Sequence, residues 1–212
     1  MIVAIDGPAG AGKSTVARRL AERLGFRYLD TGAMYRALTW LAIQRGIDLG
    51  EGRTLGELAR EHPVEIDESG RIGIAGTDVT AAIRQARIDR VVPAVARHPD
   101  VRAVMRERQR ELADEGNAVI EGRDIGTVVA PDAAVKVYLV ADPSVRAQRR
   151  QAERPEIGAD ALVTDLKERD ASDAERMQPA DDAVRIDTTK LAVDDVVGQI
   201  EQLVRARSLA RP

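Results

Sequence analysis

The segment Gly7-Pro8-Ala9-Gly10-Ala11-Gly12-Lys13-Ser14 constrains the fold more than any other stretch of the chain. It fits G-x-x-x-x-G-K-[ST] without a mismatch and stands in the context that pattern requires. Ile2-Val3-Ala4-Ile5 precedes it, a short apolar run that reads as a buried strand. Thr15 to Leu24 follows, with Val16, Leu20 and Leu24 recurring at helical spacing. Strand, glycine loop and helix in that order build a phosphate cradle. Glycines let backbone N–H groups turn inward with no Cβ in the way, and the helix aims its positive dipole end at the anion. Lys13 is expected to reach the β- and γ-phosphates of a nucleotide, the Ser14 hydroxyl to hold Mg²⁺, and Gly7 to Thr15 together to cradle that nucleotide's phosphates.

Composition narrows the class. A chain of 212 residues suits one domain with room for mobile subdomains and is long enough for a sizeable core. Only 2% of residues are aromatic against 44% hydrophobic, so that core must be aliphatic. Charged residues reach 32% yet the net charge is −3, which argues against a binder of nucleic-acid polymers. Disulfides and cysteine-ligated zinc are excluded, because there is no cysteine. The N-terminus opens directly into a strand, with no basic region or cleavage pattern. No apolar run approaches the ~20 residues that span a bilayer. A cytoplasmic protein away from membranes is expected.

Strands alternate with helices. Tyr28-Leu29-Asp30 ends a second strand before a helix over Ala33 to Gln44, and a helix from Val101 to Asp114 precedes a strand over Ala118 to Glu121. A strand over Ala134 to Val140 leads to Asp142-Pro143, an N-cap and first-turn proline. Val184 to Asp187 and Val193 to Arg205 give the last strand and helix. This rhythm predicts a parallel sheet with helices on both faces. One stretch interrupts it: Val64-Glu65-Ile66 and Ile72-Gly73-Ile74 flank Asp67-Glu68-Ser69-Gly70-Arg71, which reads as an inserted β-hairpin.

A phosphate loop alone does not choose a reaction. No guanine-reading N-K-x-D is found, and Asp67-Glu68-Ser69-Gly70 is better explained as the hairpin turn than as a D-x-x-G switch. Three arginine-bearing clusters point instead to an enzyme handling two phosphorylated ligands. Leu29 to Arg36 and Glu121 to Val129 each follow a strand end, where open α/β sheets place ligands. In the second of these, Arg123 beside Asp124 can bind a phosphate and a polar base edge together. The third cluster runs from Arg146 to Arg176; Arg146, Arg149, Arg150 and Arg154 nearly share a helical face, and Arg169, Asp173 and Arg176 follow at i, i+4 and i+7. Mobile arginines can cover reacting phosphates and neutralise transition-state charge. His62 and His98 stand beside prolines and are assigned no chemistry; Trp40 is expected on the core face of its helix. Nothing suggests a Ser/His/Asp triad or a metal cluster.

With these segments in order across nearly the whole chain, the sequence resembles the bacterial cytidylate kinases, nucleoside monophosphate kinases of the P-loop class. Ile5 to Ser14 is shared by many kinases; Leu29-Asp30-Thr31-Gly32-Ala33-Met34-Tyr35-Arg36 and Glu121-Gly122-Arg123-Asp124-Ile125-Gly126-Thr127-Val128-Val129 are specific to this family, joined by Arg169-Asp170, Asp173 and Arg176. The resemblance implies an α/β fold with five parallel strands flanked by helices. It divides one kinase domain into a core (about 1–60, 96–142 and 177–212), a monophosphate-binding insert with the hairpin (about 61–95) and a lid (about 143–176). It implies phosphorylation of CMP and dCMP by ATP with Mg²⁺, in a monomer. Thr31, Arg36, Arg102, Arg123, Asp124, Arg169, Asp173 and Arg176 would line the CMP site. Arg102 and Asp124 would read the cytosine, Arg169 and Asp173 the sugar hydroxyls, and Arg36, Arg123 and Arg176 the phosphate. Lys13, Arg123, Arg149 and Arg150 would act on the transferred group, and lid arginines near Arg146, Arg149 and Arg150 would clamp ATP. Three features depart from the pattern: Thr31 stands where serine is common, Pro93 stands where some members have a base-reading serine, and the segment between Arg176 and Asp181 is short.

Overall fold

In the computed structural model, which describes residues 1–67, 69–155, 157–174 and 176–209, the first strand leads straight into the glycine loop. Glu68 of the predicted turn, with Glu156 and Glu175 of the predicted lid, lies outside the described residues. Strand β1 (Ile2–Asp6) is followed by α1 (Lys13–Leu24), β2 (Arg27–Asp30), α2 (Thr31–Gln44) and α3 (Gly52–Glu61). Next come three short strands, β3 (Glu65–Ile66), β4 (Ile72–Ile74) and β5 (Thr77–Asp78), then a 3₁₀ turn over Ala82–Arg84, α4 (Ala86–Ala96) and α5 (Pro99–Asp114). The alternation resumes with β6 (Ala118–Glu121), a π-helical turn over Ile125–Val129, β7 (Val135–Val140), α6 (Pro143–Glu153), α7 (Ala159–Asp173), β8 (Val184–Asp187) and α8 (Val193–Leu209).

Five strands form one parallel sheet in the order β2-β6-β1-β7-β8. Val3 of β1 pairs with Val119 on one side and Val135 on the other, and Val137 of β7 pairs with Val184. Strands β3, β4 and β5 make a separate antiparallel sheet. The chain divides into two compact units, Met1–Tyr28 with Gly116–Pro212, and Leu29–Glu115.

In the first unit the period-two strands meet period-3.6 helices in an aliphatic layer. Val3 and Ile5, Val135, Val137 and Leu139, and Ile186 face Val16 and Leu20 of α1 and Val196, Val197, Ile200 and Val204 of α8. Each such side chain contributes about 1.5–3 kcal/mol when fully buried, so the layer needs no aromatic filling. The alternate residues Asp6, Lys136 and Tyr138 therefore point to the opposite face. The π-helical turn lies there, with Gly126 against Lys136 and Asp6.

The second unit buries Met34, Leu38 and Leu41 of α2, Leu55 and Leu58 of α3, Ile72 and Ile74 of β4, and Met105 and Leu112 of α5. Helix α3 meets α5 at Gly56, where a Cβ would lie 3.0 Å from Asp100 Cβ and 3.3 Å from the Asp100 carbonyl carbon. His98 has a structural task in this unit: its ring covers Gly52, and Nε2 hydrogen-bonds the Leu49 carbonyl at 2.9 Å.

The five predicted strands of the parallel sheet and the hairpin are present, with differences in detail. Strand β5 extends the hairpin, and helices α3 and α4 stand where no helix was predicted. Gly52 and Gly56 obscure the apolar stripe of α3, and Pro93 sits inside α4 rather than ending it. Arg176 falls outside the helical stripe expected for it, because α7 ends at Asp173. Trp40 is half-buried, not a core residue.

The close α3–α5 approach makes Gly56 a stability determinant. Gly56→Leu should cost about 1–3 kcal/mol by overpacking. Gly56→Ala should cost less, since up to about 1 kcal/mol of helix propensity opposes the crowding. Urea unfolding of the three proteins tests this, and an unchanged midpoint for Gly56→Leu would show that the helices separate freely.

Candidate active site

The loop between β1 and α1 keeps Gly7, Gly10 and Gly12 at φ 143°, 76° and 91°. Two of these glycines also permit close approach. A Cβ on Gly7 would lie 2.2 Å from the Leu139 carbonyl oxygen, and one on Gly10 would lie 3.0 Å from Arg146 Cβ and 3.1 Å from its carbonyl oxygen. Thus β7 presses on the loop at one end and α6 near its middle.

Four successive loop carbonyls accept hydrogen bonds from side chains. Lys13 Nζ donates to Pro8 O at 2.8 Å, Arg146 Nη1 to Ala9 O at 3.2 Å, Arg149 Nη1 to Gly10 O at 3.4 Å, and Thr188 Oγ1 to Ala11 O at 3.0 Å. Arg149 also holds Thr188, donating to its hydroxyl at 3.0 Å and its carbonyl at 2.7 Å. Arg150 instead donates to Glu153 at 3.0 Å.

Lys13 is the first residue of α1 and is buried. Burial, reinforced by the nearby Arg123, pushes its ammonium down to about 7, although Glu121, Asp6 and Asp173 pull the other way. Asp6 closes β1 beneath the loop and accepts from the backbone N–H of Ile125 at 2.9 Å and of Gly126 at 2.8 Å. Burial nevertheless raises its carboxyl above the usual range, and Asp124 adds to the rise. Ser14 and Thr15 are exposed in the first turn of α1. Alongside them lies a cleft of about 410 Å³, with Arg18, Val193 and Asp194 among its walls.

Beyond β6 the structure joins three of the expected residues. Arg123 Nε donates to Asp173 Oδ2 at 2.9 Å, and Arg176 Nη2 donates to Asp173 Oδ1 at 2.9 Å. Burial pushes the Asp173 carboxyl up, but the two guanidiniums outweigh it and hold it below the usual carboxylate range. Asp124 is buried at the head of the π-helical turn, where its carbonyl accepts from Val128 N at 2.9 Å. Arg169 and Asp173 share the expected stripe of α7, and Arg169 Nε donates to Asp165 at 3.1 Å, one turn earlier on that helix.

The remaining expected residues lie in the second unit. Thr31 is buried and begins α2. Asp30 caps that helix by accepting from Ala33 N at 2.8 Å, and it also accepts from Arg84 Nη2 at 2.7 Å. Its carboxyl is pushed up by burial, but Arg36, Arg84 and these bonds prevail and lower it. Arg36 Nε donates to the buried Asp89 at 2.8 Å. Arg102 stacks its guanidinium 6.0 Å from the Tyr35 ring centroid and donates to Ala96 O at 3.4 Å.

Several participants had not been singled out. Asp6 and Thr188 each sit at the carboxyl end of a strand, β1 and β8, and the strand-end rule for open sheets would have found them. Arg84 and Asp89 carried no such signal, since their surroundings were not read as helical.

The family model for cytidylate kinase matches residues 3–206. The chain belongs to the cytidylate kinase family. The cytidylate kinase of Shouchella clausii (strain KSM-K16) is 48% identical over 218 residues, covering 97% of this chain and 96% of that protein. The cytidylate kinase of Geobacillus kaustophilus (strain HTA426) is 47% identical over 216 residues, with 97% and 96% covered. Among solved structures, a shikimate kinase from Bacteroides thetaiotaomicron aligns with a TM-score of 0.52 at 17% identity, covering 97% of this chain and 98% of that one. A gluconokinase from Sinorhizobium meliloti 1021 aligns at 0.51 and 15% identity, with 97% and 93% covered. At such identities the likeness is one of fold. Among the described residues, no helix is long and apolar enough to cross a membrane, and no group of three or more His, Cys, Asp or Glu is placed to hold a metal ion.

The state of Lys13 gives the site a pH signature. Its value of about 7 in the folded chain lies below the ordinary 10.5, so between the two the unfolded chain binds more protons. This group alone makes stability rise with pH across that window, and below 7 the full penalty of burying the cation applies. A polyphosphate beside Nζ favours the cation again. Nucleoside triphosphate binding should therefore take up a proton above pH 7, with affinity falling by up to about tenfold per pH unit. Calorimetry in buffers of different ionisation enthalpy measures the uptake. Lys13→Met should abolish it, and a parent affinity unchanged from pH 7 to 9 would contradict the assignment.

Proposed function

We propose that the protein transfers the γ-phosphoryl group of ATP to CMP and dCMP. The observation that carries this reading is the electrostatic grouping of Lys13 of the phosphate loop with Arg123 and Asp173. Membership of the cytidylate kinase family supports the choice of acceptor, and the separate cluster around Thr31 and Arg36 supports a second phosphate-handling region.

A phosphate oxygen of CMP attacks the γ-phosphorus in line, the bond to the β–γ bridging oxygen breaks, and ADP leaves. The acceptor oxygen is already ionised near neutral pH, so no strong general base is needed; positioning and charge stabilisation do the chemistry. The backbone of Gly7 to Thr15 cradles the donor phosphates, and Lys13, whose ammonium has three N–H donors, serves the transferring group as well as Pro8 O. Arg36, Arg123 and Arg176 are assigned to the acceptor phosphate, and Thr31 to the acceptor site. Asp173 and Arg169 take the sugar hydroxyls. Arg102 and Asp124 match the ring acceptors and amino donor of cytosine. Arg149 and Arg150, both on α6, act on the donor phosphates.

The Ser14 hydroxyl, exposed at the mouth of the loop, suits Mg²⁺, a cation that keeps most of its waters and takes substrate phosphate oxygens rather than a cage of carboxylates. When bound, Mg²⁺ neutralises phosphate charge. We assign the stretch of about 143–176 to a lid and that of about 61–95 to the acceptor insert, and we place the enzyme in the cytoplasm as a monomer.

The test is ADP release from ATP and Mg²⁺ with CMP, dCMP, UMP, AMP, GMP and shikimate in turn. CMP or dCMP should lead, and a lead by any other acceptor would displace the base assignment. Lys13→Ala should lower kcat by at least about a hundredfold in a folded protein. Asp124→Ala should lower kcat/KM for CMP by about ten- to a hundredfold, the cost of losing a buried hydrogen bond, with KM for ATP unchanged. Equal losses for both substrates would argue against base reading by Asp124.

A further inference from the structure

Arg146, expected from the sequence among the arginines that cover the donor phosphates, is instead paired with Asp170, and the two join the phosphate loop to the helix that carries Arg169 and Asp173. Arg146 projects from α6 and is 8% exposed. Its guanidinium makes two bonds to Asp170, Nη1 to Oδ1 at 3.1 Å and Nη2 to Oδ2 at 2.7 Å, and Nη1 also donates to Ala9 O. The α6 backbone at Arg146 meets the loop where Gly10 lacks a Cβ. Asp170 lies on α7 between Arg169 and Asp173. A bidentate guanidinium–carboxylate pair fixes orientation as well as distance. A shift of the loop at Ala9 is therefore carried to α7 through one rigid link.

We propose that Arg146 and Asp170 are positioning residues that couple donor binding at the loop to acceptor binding at α7, an inference that rests on the function proposed above. The link makes the bound state of each ligand favour the arrangement the other requires, so the effect is reciprocal. Neither side chain needs to touch a reacting atom. Their loss should appear as a failure of the two ligands to assist each other more than as loss of either ligand's own affinity.

The experiment measures the dissociation constant of CMP with and without a non-hydrolysable ATP analogue and Mg²⁺. The parent should bind CMP at least about fivefold more tightly with the analogue present, the lower end of usual coupling. Asp170→Asn keeps the shape but removes the charge. It should bring that ratio close to one, lower kcat more than it raises KM for ATP, and leave the affinity for the analogue alone within about twofold. Asp170→Glu should restore part of the coupling. Because Asp170→Asn leaves a buried guanidinium without its countercharge and can unfold the protein, the double change Arg146→Met with Asp170→Leu is measured beside it. Loss of coupling in a double variant that unfolds at the parent's temperature supports the link. A parent ratio of one, or a parent-like ratio in either variant, overturns it while CMP turnover by the parent leaves the proposed function standing. Absence of CMP turnover in the parent overturns both.

Discussion

A loop that gathers an anion with its N–H groups must give its carbonyls other partners, and this requirement organises the first unit. Pro8, Ala9, Gly10 and Ala11 present successive carbonyl oxygens to Lys13, Arg146, Arg149 and Thr188. The donors come from α1, α6 and the end of β8, so three separate parts of the chain must be in place before the loop is complete. Loop carbonyls left without donors would favour turning back toward water, because buried backbone acceptors are costly to leave unmade. Positive φ at Gly10 and Gly12 and the absence of a Cβ at Gly7 make that arrangement sterically open. The side chains around the loop hold it open.

Charge is managed in the same way. Lys13, Arg123 and Arg176 bring three cations into one region of limited water, and Asp173, Asp6 and Glu121 offset them. Burial outweighs that compensation at Lys13, whose ammonium is held at about 7. Such a site is poised to take a polyanion, since each added negative charge restores a cation already oriented. Asp173 has a double part here. It holds Arg123 and Arg176 by one oxygen each, and that preorganisation lowers the ordering cost of binding.

Much of the first unit could be read directly from the sequence because its signals are local. The glycine pattern, the strand before it and the Val16-Leu20-Leu24 spacing together specify the loop, and strand β8 begins at Val184 and ends at Asp187, the bounds read from the alternating Val184-Arg185-Ile186-Asp187. Less legible were elements whose determinants are tertiary. Gly56 reads as a helix breaker until α5 is packed against it, and Pro93 reads as a boundary although Arg97 N still donates to Pro93 O at 3.2 Å. The π-helical turn has no sequence period of its own; the Asp6 carboxylate shapes it by taking the N–H groups of Ile125 and Gly126. Within the site, residue types were legible and partners were not. Spacing put Arg169 and Asp173 on one stripe of α7, but only the fold shows Arg169 bonded to Asp165 and Arg123 brought to Asp173 from fifty positions away.

The short segment after Arg176 shows how the fold fixes a residue that helical periodicity would have placed differently. Helix α7 stops at Asp173, and the backbone N–H groups of Arg176 and Met177 both return to the Asp173 carbonyl, at 2.8 and 2.9 Å. Two side chains of β7 then secure the exit: Tyr138 Oη donates to Met177 O at 2.8 Å, and Lys136 Nζ donates to Asp182 at 2.8 Å. Both come from the face of β7 opposite the aliphatic layer, so the alternation that packs Val135, Val137 and Leu139 also supplies the anchors. With so few residues between Arg176 and Asp182, there is little slack to absorb a misplaced anchor. The tether to the central sheet thus replaces helical continuity as the means of aiming Arg176. Under the function proposed above Arg176 holds the acceptor phosphate, and errors of about 1 Å in such a positioning group can cost about a hundredfold in rate. A shorter segment is therefore compatible with the chemistry so long as Tyr138 and Lys136 keep their partners.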